Sequence, residues 1–228
     1  MAPKSGQTAD DDAGLSALSG HAAGKMERRN RILAAAEDLV RLHGVEGVPV
    51  EAIARRAGVS PATVYNLFGS RGAIFSELFD ADLARFEALV ASRREAGPVG
   101  LFFEAIDVAV SLYAAEPAYY RALLGLTRRD GALYARFSQP RLAFWRRLVA
   151  EAHAAGALRP GMDPGFAGDT LASVARGALD FWADGRASLA ELRRRLAWGF
   201  GVVLLSLATE NEQAEIRRRM AAAGDGGA

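Results

Sequence analysis

Residues 50–75 contain the pattern that most restricts what this chain can fold into. A short stretch with helical periodicity ends at Gly58, and a second one opens at Ser60-Pro61. Serine is a favoured helix N-cap and proline a favoured first helical residue, while glycine adopts a left-handed turn at little cost. Two short helices joined by so tight a turn indicate a helix-turn-helix, and therefore an all-α unit in this part of the chain.

The residues of this motif separate into an inner and an outer set. Ala54 is small enough to let the two helices approach closely, and Val64 can fill a small core against a preceding helix predicted at about 26–43. The second helix is predicted at about 61–67. Its periodicity leaves a short polar surface facing away from that core, made of Ser60, Ala62, Thr63, Tyr65 and Asn66.

This outer surface has the chemistry of DNA recognition. The polar groups of Thr63 and Asn66 can hydrogen-bond base edges, and the methyl groups of Ala62 and Thr63 can contact thymine. Tyr65 is expected to reach a phosphate, and Arg71 stands beside the free N–H groups of the next helix, a second place for an anion. With Ser60, these side chains are the predicted DNA-binding residues. A glycine turn between two helices also occurs in proteins that never contact DNA, so spacing alone leaves both alternatives open.

From Ile32 to Phe75 the chain resembles the N-terminal domain of the TetR family of bacterial transcription regulators. The matching segments read ILAAAEDLVRLHGVEG and VEAIARRAGVSPATVYNLFGSRGAIF. The resemblance implies a homodimer that binds a double-stranded DNA operator through the helix at 61–67. It also implies a repressor that a small apolar or aromatic effector releases from a palindromic operator.

The chain departs from the family pattern in three ways. Val48 and Pro49 stand where the family often has hydroxyl residues, so a helix cap and a phosphate contact are missing there. Arg71 replaces the usual lysine and keeps its charge, while Gly72 replaces a common acidic residue. The first of these changes is expected to weaken phosphate binding.

The rest of the chain also has helical periodicity, with no convincing alternating strand pattern. The predicted fold is all-α, with a three-helix DNA-binding domain at 25–70 and a larger helical ligand-binding and dimerisation domain at 71–214. Glycine and proline breaks separate helices expected at about 99–115, 117–126, 130–155, 164–184 and 188–209. Residues 1–24 and 215–228 are predicted to be disordered tails, and the first of them lacks the apolar core of a signal peptide.

Composition argues against several other classes of protein. The chain has no Cys and only three scattered His, so neither a metal site nor a cofactor is expected. No nucleophile–base pair or phosphate loop stands out, so an enzyme is the weaker alternative, as is a helical adaptor that has lost its operator. No apolar run reaches the roughly 20 residues that span a bilayer, and the nearest is 197–208. A cytoplasmic protein without a membrane partner is expected.

Most aromatic residues fall between 99 and 182. Apolar cavities with a few polar groups are the usual form of small-molecule sites, although for any single aromatic residue plain core packing is the competing explanation. Asp107 and His153 are further candidates that the sequence leaves open. The predicted ligand-binding residues are Phe102, Phe103, Ile106, Tyr120, Phe137, Phe144 and Trp145.

The last two predicted helices carry wide apolar stripes. Packing against the same pair from a second chain would bury these stripes in a four-helix bundle with twofold symmetry. The alternative is that other helices of the same chain cover them. The predicted dimer-interface residues are Leu171, Ala175, Ala178, Leu179, Trp182, Leu192, Leu196, Phe200, Val203 and Leu207.

Overall fold

The computed structural model describes residues 8–45 and 48–224, without the side chains of 8–21 and 129. The chain divides into two compact units, one ending at Ile74 and the other beginning at Phe75. The boundary therefore lies four residues beyond the predicted one at 70. Of the predicted tails, residues 1–7 and 225–228 lie outside the described residues.

The first unit contains three helices and the start of a fourth. They are α1 (Thr8–His43), α2 (Val50–Ala57), α3 (Pro61–Phe68) and α4 (Arg71–Ala91), which continues into the second unit. The prediction of a disordered tail up to residue 24 is wrong from Thr8 onward, because α1 already includes these residues. No proline, which would interrupt a helix, falls within 8–43.

The core of the first unit is built as the periodicity predicted. Ile32 of α1, Ile53 of α2 and Val64 of α3 are at most 1% exposed. Ala54 is equally buried, as expected for the small residue between the two helices. Gly58 ends α2 in the left-handed conformation with φ +66°, also as expected. His43 is exposed at the end of α1.

The second unit continues with six more helices. A 3-10 turn (Arg94–Ala96) leads into α5 (Gly97–Ala115), and then follow α6 (Pro117–Arg129), α7 (Gly131–Ala154), α8 (Pro164–Ala183), α9 (Leu189–Leu207) and α10 (Glu210–Gly224). α5 is the central helix and contacts α6, α7, α9 and α10. Within the described ranges the fold is all-α, and its β-type pairing is limited to an isolated bridge between Leu158 and Ala208.

Helix α10 corrects the prediction of a disordered C-terminal tail from residue 215. Ile216 and Met220 are buried, and α10 packs on α5 and α9. Arg219 donates hydrogen bonds to Glu104 on α5 and Glu215 on α10, each at 2.8 Å. Apolar residues four apart among charged neighbours are a faint helical signal, which explains why the sequence did not reveal this helix.

The segment 94–115 corrects the expectation about apolar runs. It is long and apolar enough to cross a membrane by length and composition, whereas the nearest candidate expected from the sequence was 197–208. Half of its most apolar window is buried inside the fold. The core helix of a globular domain has the same properties, so this signal is weak.

Candidate DNA-binding surface and ligand cavity

Helix α3 begins with a side-chain cap. The Oγ of Ser60 accepts a hydrogen bond from the backbone N–H of Thr63 at 3.2 Å. The two hydroxyl oxygens are 2.9 Å apart, so the Thr63 hydroxyl is part of the cap as well. Pro61 occupies the first helical position, where its missing N–H costs nothing. The sequence Ser-Pro-Ala-Thr therefore fixes where α3 starts and which way its side chains point.

The outer face of α3 presents the side chains that the sequence predicted. Val64 and Phe68 point into the core, while Ala62, Tyr65 and Asn66 are exposed. Tyr65 is 48% exposed, which is unusual for so large an aromatic side chain in a folded unit. Among the predicted DNA-binding residues, Thr63 and Arg71 are half-buried and the others are exposed. Contact of these side chains with DNA stays a prediction.

Arg71 has a role in this structure that the sequence did not indicate. Its Nε donates to the carbonyl oxygen of Val48 at 2.9 Å, and its Nη2 donates to the carbonyl oxygen of Val45 at 2.5 Å. The side chain therefore holds both described ends of the α1–α2 connection. The predicted phosphate contact would have to be made by its remaining N–H groups.

A second arginine, Arg29, fixes the far end of α3 and was also missed. Its Nη1 donates to the carbonyl oxygen of Leu67 at 2.7 Å. Its guanidinium carbon lies 4.3 Å from the centre of the Phe68 ring, within range of a cation–π contact. The two arginines thus stabilise opposite ends of the motif, and neither contact has a local sequence signal.

The helix ends near this surface differ in capping. Ser70 caps α4 by accepting from the N–H of Ala73 at 3.2 Å. Pro49, before α2, provides no side-chain cap. The missing cap was expected from the Val48-Pro49 departure, and it leaves the first N–H groups of α2 without a side-chain acceptor from Pro49.

A cavity of about 620 Å³ lies inside the second unit. Its walls come from α4, α5, α7, α8 and α9. Of the predicted ligand-binding residues, Ile106, Phe137, Phe144 and Trp145 line it. Volumes of this size are typical of small-molecule sites.

Three of the predicted ligand-binding residues do not line the cavity. Phe102 and Phe103 are buried about one turn before the cavity-lining part of α5, which begins at Ala105. Tyr120 is buried, and its hydroxyl donates to the Oδ1 of Asp82, which lines the cavity, at 2.8 Å. These aromatics serve the core, which was the competing explanation for each of them.

Two ion pairs that the sequence did not predict form the polar part of the cavity wall. Arg141 donates to Asp82 at 3.2 Å, and Arg176 donates to Asp180 at 2.8 Å. The ring of Phe137 lies near both arginines, with guanidinium carbons 3.8 Å and 5.8 Å from its centre. The first pair joins α4 to α7, whereas the second lies within α8 between residues four positions apart. Only the second pair therefore has a spacing that the sequence could have revealed.

Burial governs the electrostatics of the first pair. Removal from water raises the pKa of Asp82 above its usual range, although Arg141 and the Tyr120 hydroxyl act in the opposite direction. Removal from water likewise lowers the pKa of Arg141, opposed by Asp82. The Arg141 side chain still has 19% of its surface accessible. Arg141 is also one of the residues that line the cavity.

The two open candidates lie elsewhere. Asp107 pairs with Arg193, whose Nε donates to its Oδ1 at 2.6 Å, and this pair is outside the cavity wall. His153 is half-buried in the last turn of α7, also away from the cavity. Among the described residues, no cluster of three or more His, Cys, Asp or Glu is arranged to hold a metal ion.

Most of the predicted dimer-interface stripe is already buried within the single chain, and its contact with a second chain stays a prediction. Leu171, Trp182, Leu192 and Phe200 are fully buried within the single chain, and Leu196 is 4% exposed. The other helices of the second unit cover these five residues, as the competing explanation expected for them. The remaining members are also covered wholly or in part, namely Ala175, Ala178, Leu179, Val203 and Leu207.

The exposed apolar residues of α8 and α9 lie on other faces of these helices. Phe166 is 72% exposed, Trp198 is 51% exposed and Val202 is 58% exposed. Trp198 and Val202 are four residues apart and therefore adjacent on one side of α9. We call Trp198 and Val202 the outer α9 face.

Comparison with known proteins gives a local sequence match and a fold match. The family model for bacterial regulatory proteins of the tetR family matches residues 32–78. A comparison with curated protein sequences gives no significant match.

Several solved structures share the fold. A TetR-family transcriptional regulator from Rhodococcus sp., described as putative, superposes with a TM-score of 0.64 at 20% identity, covering 78% of this chain and 99% of that one. Thermus thermophilus FadR, a TetR-family transcriptional repressor in complex with lauroyl-CoA, gives a TM-score of 0.64 at 22% identity, with 80% and 96% covered. NalD from Pseudomonas aeruginosa, the secondary repressor of the MexAB-OprM multidrug efflux pump, gives 0.57 at 22% identity, with 81% and 99% covered.

These similarities agree with the geometry of the two units. The matched residues 32–78 include the capped helix α3 and its exposed face. The shared fold extends over the helical unit that encloses the cavity. Residues 32–78 match the tetR family of bacterial regulatory proteins, and the chain shares its fold with solved structures described as TetR-family regulators.

Proposed function

We propose that this protein is a ligand-responsive, sequence-specific DNA-binding transcription regulator that acts as a repressor. The observation that carries the proposal is the exposed face of α3, where Ala62, Tyr65 and Asn66 project from a helix whose start is fixed by Ser60. Asn66 supplies the amide that pairs with adenine edges, and Tyr65 supplies a hydroxyl for phosphate. The cavity of the second unit is the proposed effector site.

The operator would be read by two copies of the chain. A twofold dimer sets two α3 helices in successive major grooves, roughly 34–36 Å apart, and so selects a palindrome. The outer α9 face, Trp198 and Val202, supports this assembly because soluble monomers seldom expose neighbouring large apolar side chains without a partner. Because most of the predicted stripe is buried within the chain, we place the outer α9 face at the contact between the two copies.

Effector and operator would be coupled through α4. This helix begins at Arg71, which holds the α1–α2 connection, and its later residues Asp82, Leu83 and Phe86 line the cavity. A ligand that favours one position of α4 would change the operator affinity of the dimer. Couplings of this kind are typically about 1–3 kcal/mol, and by linkage the operator changes ligand affinity equally.

Selection of duplexes from a random DNA pool with the purified full chain tests the proposal. The expected product is one palindromic sequence, bound with an affinity that falls steeply as salt rises because phosphate contacts release counterions. Asn66→Ala should lose the preference, whereas Asn211→Ala, an exposed asparagine on α10, should keep it. If no sequence is enriched at low salt, the helical-adaptor alternative replaces the regulator. Turnover of a bound small molecule would instead favour an enzyme.

A further inference from the structure

Tyr113 brings a phenol hydroxyl to the cavity wall. Tyr113 lies on α5 and lines the cavity. Its ring stacks on Trp182 at 5.2 Å between ring centres, with an interplanar angle of 20°, and meets Tyr120 edge-on at 4.8 Å. These contacts fix the ring, yet within the described residues the hydroxyl makes no hydrogen bond.

This hydroxyl is a hydrogen-bond donor at neutral pH. Burial raises the pKa of Tyr113 to about 12, and the Asp82 carboxylate acts in the same direction. The phenol therefore keeps its proton. A donor held in a fixed position inside an apolar cavity, with no partner of its own, is stabilised by an acceptor atom on a ligand.

The charges that line the cavity are already compensated by one another. Asp82 is paired with Arg141 and Asp180 with Arg176, as described above. Asp169 accepts from the Nη2 of Arg146 at 2.7 Å. A carboxylate ligand would have to compete with Asp82 for its arginine, and an ammonium ligand with an arginine for its aspartate. An ion that enters without a partner pays its desolvation cost in full.

The faces of the two guanidinium groups are occupied as well. Arg141 lies over Phe137, and the Arg176 guanidinium carbon is 4.9 Å from the centre of the Tyr134 ring. The Oδ1 atom of Asp180 has no hydrogen-bond partner among the described residues, but it is shielded from the cavity too. A charged ligand would therefore meet guanidinium and carboxylate groups that are already paired with one another.

We propose that the cavity binds a neutral, mainly apolar molecule whose carbonyl or hydroxyl oxygen accepts a hydrogen bond from Tyr113. The apolar body of the ligand would lie against Phe144, Trp145 and Phe200, which line the same cavity. This inference rests on the proposed function only in taking the cavity as the effector site. It does not depend on the operator.

A set of biphenyls that differ in one group tests the assignment by calorimetric titration of the full chain without DNA. The probes are 4-acetylbiphenyl, 4-isopropylbiphenyl, biphenyl-4-carboxylate and (biphenyl-4-yl)methylammonium. The acetyl compound is expected to bind about tenfold tighter than the other three, because only it combines neutrality with an acceptor. A higher affinity of either ion, equal affinities of the acetyl and isopropyl compounds, or no binding by any of the four would overturn the proposal.

Tyr113→Phe removes the hydroxyl and leaves the ring contacts. It should lower the affinity of the acetyl compound about tenfold, to that of the isopropyl compound, whose own affinity should not change. Tyr134→Phe is the matched control, because Tyr134 also lines the cavity but is 41% exposed. If Tyr134→Phe removes the preference and Tyr113→Phe does not, the assignment to Tyr113 is wrong.

Operator affinity measured with and without the acetyl compound separates the two proposals. If the four affinities rank as expected and DNA binding does not change, the ligand assignment stands and the regulatory coupling fails. If the ranking fails while another compound releases the operator, the regulatory coupling stands and the ligand assignment fails.

Discussion

The Nε atom of Arg71 donates a hydrogen bond to the carbonyl oxygen of Val48 at 2.9 Å, and thereby links the start of α4 to the connection before α2. The same guanidinium also binds the carbonyl oxygen of Val45. A basic residue beside a helix N-terminus is usually assigned to phosphate binding from sequence. Here two of its donors serve the polypeptide, so Arg71 shapes the unit that carries α3.

Replacement of Arg71 should therefore reduce stability even without DNA. Arg71→Ala removes donors from two backbone carbonyls, and we expect the free energy of unfolding of the first unit to fall by about 1–3 kcal/mol. Urea denaturation measures the loss. Arg71→Lys keeps the charge but loses the two-pronged geometry, so it should recover little of the stability.

Arg55→Ala is the control for removing a positive charge, because Arg55 is exposed on α2. Its effect should stay within about 0.5 kcal/mol. If Arg71→Lys restores the full stability, the guanidinium contacts are not what holds the connection.

Two neighbouring residues of α3 should affect DNA binding in different ways. Asn66→Ala should change which duplex is preferred, because a lost amide pair is worth about 1–3 kcal/mol at one base position. Tyr65→Phe should weaken binding to all duplexes about equally, because a phosphate contact carries no sequence information. Affinities for the selected operator and for single-base variants measure both effects. Equal losses on every duplex for Asn66→Ala would remove this residue from base recognition.

The sequence predicted the first unit well because its signals are local. The Ser60 cap, the left-handed Gly58 and the buried Val64 are each decided by a few adjacent residues, and all three are confirmed. The contacts of Arg29 and Arg71 are different. They join residues 38 and 23–26 positions apart, and no spacing rule identifies such partners.

The second unit shows where periodicity fails. An apolar stripe predicts that a face is buried, but not what buries it. Leu192 and Phe200 are covered by their own chain, while Trp198 and Val202 are exposed. The cavity poses the same difficulty, since Phe103 and Phe144 are equally aromatic and only the packing of helices decides which one meets an empty volume.

The outer α9 face yields a prediction about assembly. A glutamate at Trp198 or Val202 would bring a charge into the proposed interface, so Trp198→Glu and Val202→Glu should convert the dimer to a monomer. Light scattering after gel filtration measures the mass. Ala214→Glu, on the exposed side of α10, should leave the dimer intact.

A change in the buried stripe should behave differently. Phe200→Ala is expected to cost about 3–5 kcal/mol of unfolding free energy, because a fully buried ring is removed from the core. A dimer that persists with glutamate at both positions of the outer face would contradict the proposed interface.

The link between α5 and α10 should make stability depend on acid pH. Hydrogen bonds from Arg219 and Arg93 hold the pKa of Glu104 below its usual value. A carboxylate whose pKa is lowered by folding stabilises the fold at pH values above its pKa in the unfolded chain, near 4.5. That contribution is lost as the pH falls through its pKa in the folded protein. Glu104→Gln should therefore be less stable than the parent protein at pH 7, by about 1–3 kcal/mol.

The difference should shrink as the pH falls below about 4.5, because the parent carboxylate is then protonated too. Urea titrations of both proteins at pH 7 and at pH 3 measure it, within the range where both remain folded. Glu210→Gln, exposed at the start of α10, controls for the loss of one carboxylate. A gap that is the same at both pH values would mean that Glu104 contributes through packing rather than charge.

Two glycines of α8 should respond oppositely to alanine. A methyl group at Gly168 would lie 2.7 Å from the Cα and 2.9 Å from the backbone nitrogen of Arg146, so α7 and α8 would have to separate. Gly177 has nothing within 4 Å of the same position.

Gly168→Ala should cost about 1–3 kcal/mol of unfolding free energy. Gly177→Ala should add up to about 1 kcal/mol, since alanine favours the helix. The unfolding temperatures of the two variants measure the difference. Both changes replace glycine by alanine within α8, so the gain in helix propensity is the same for each. Stabilisation by both would mean that the backbones of α7 and α8 are farther apart than this packing requires.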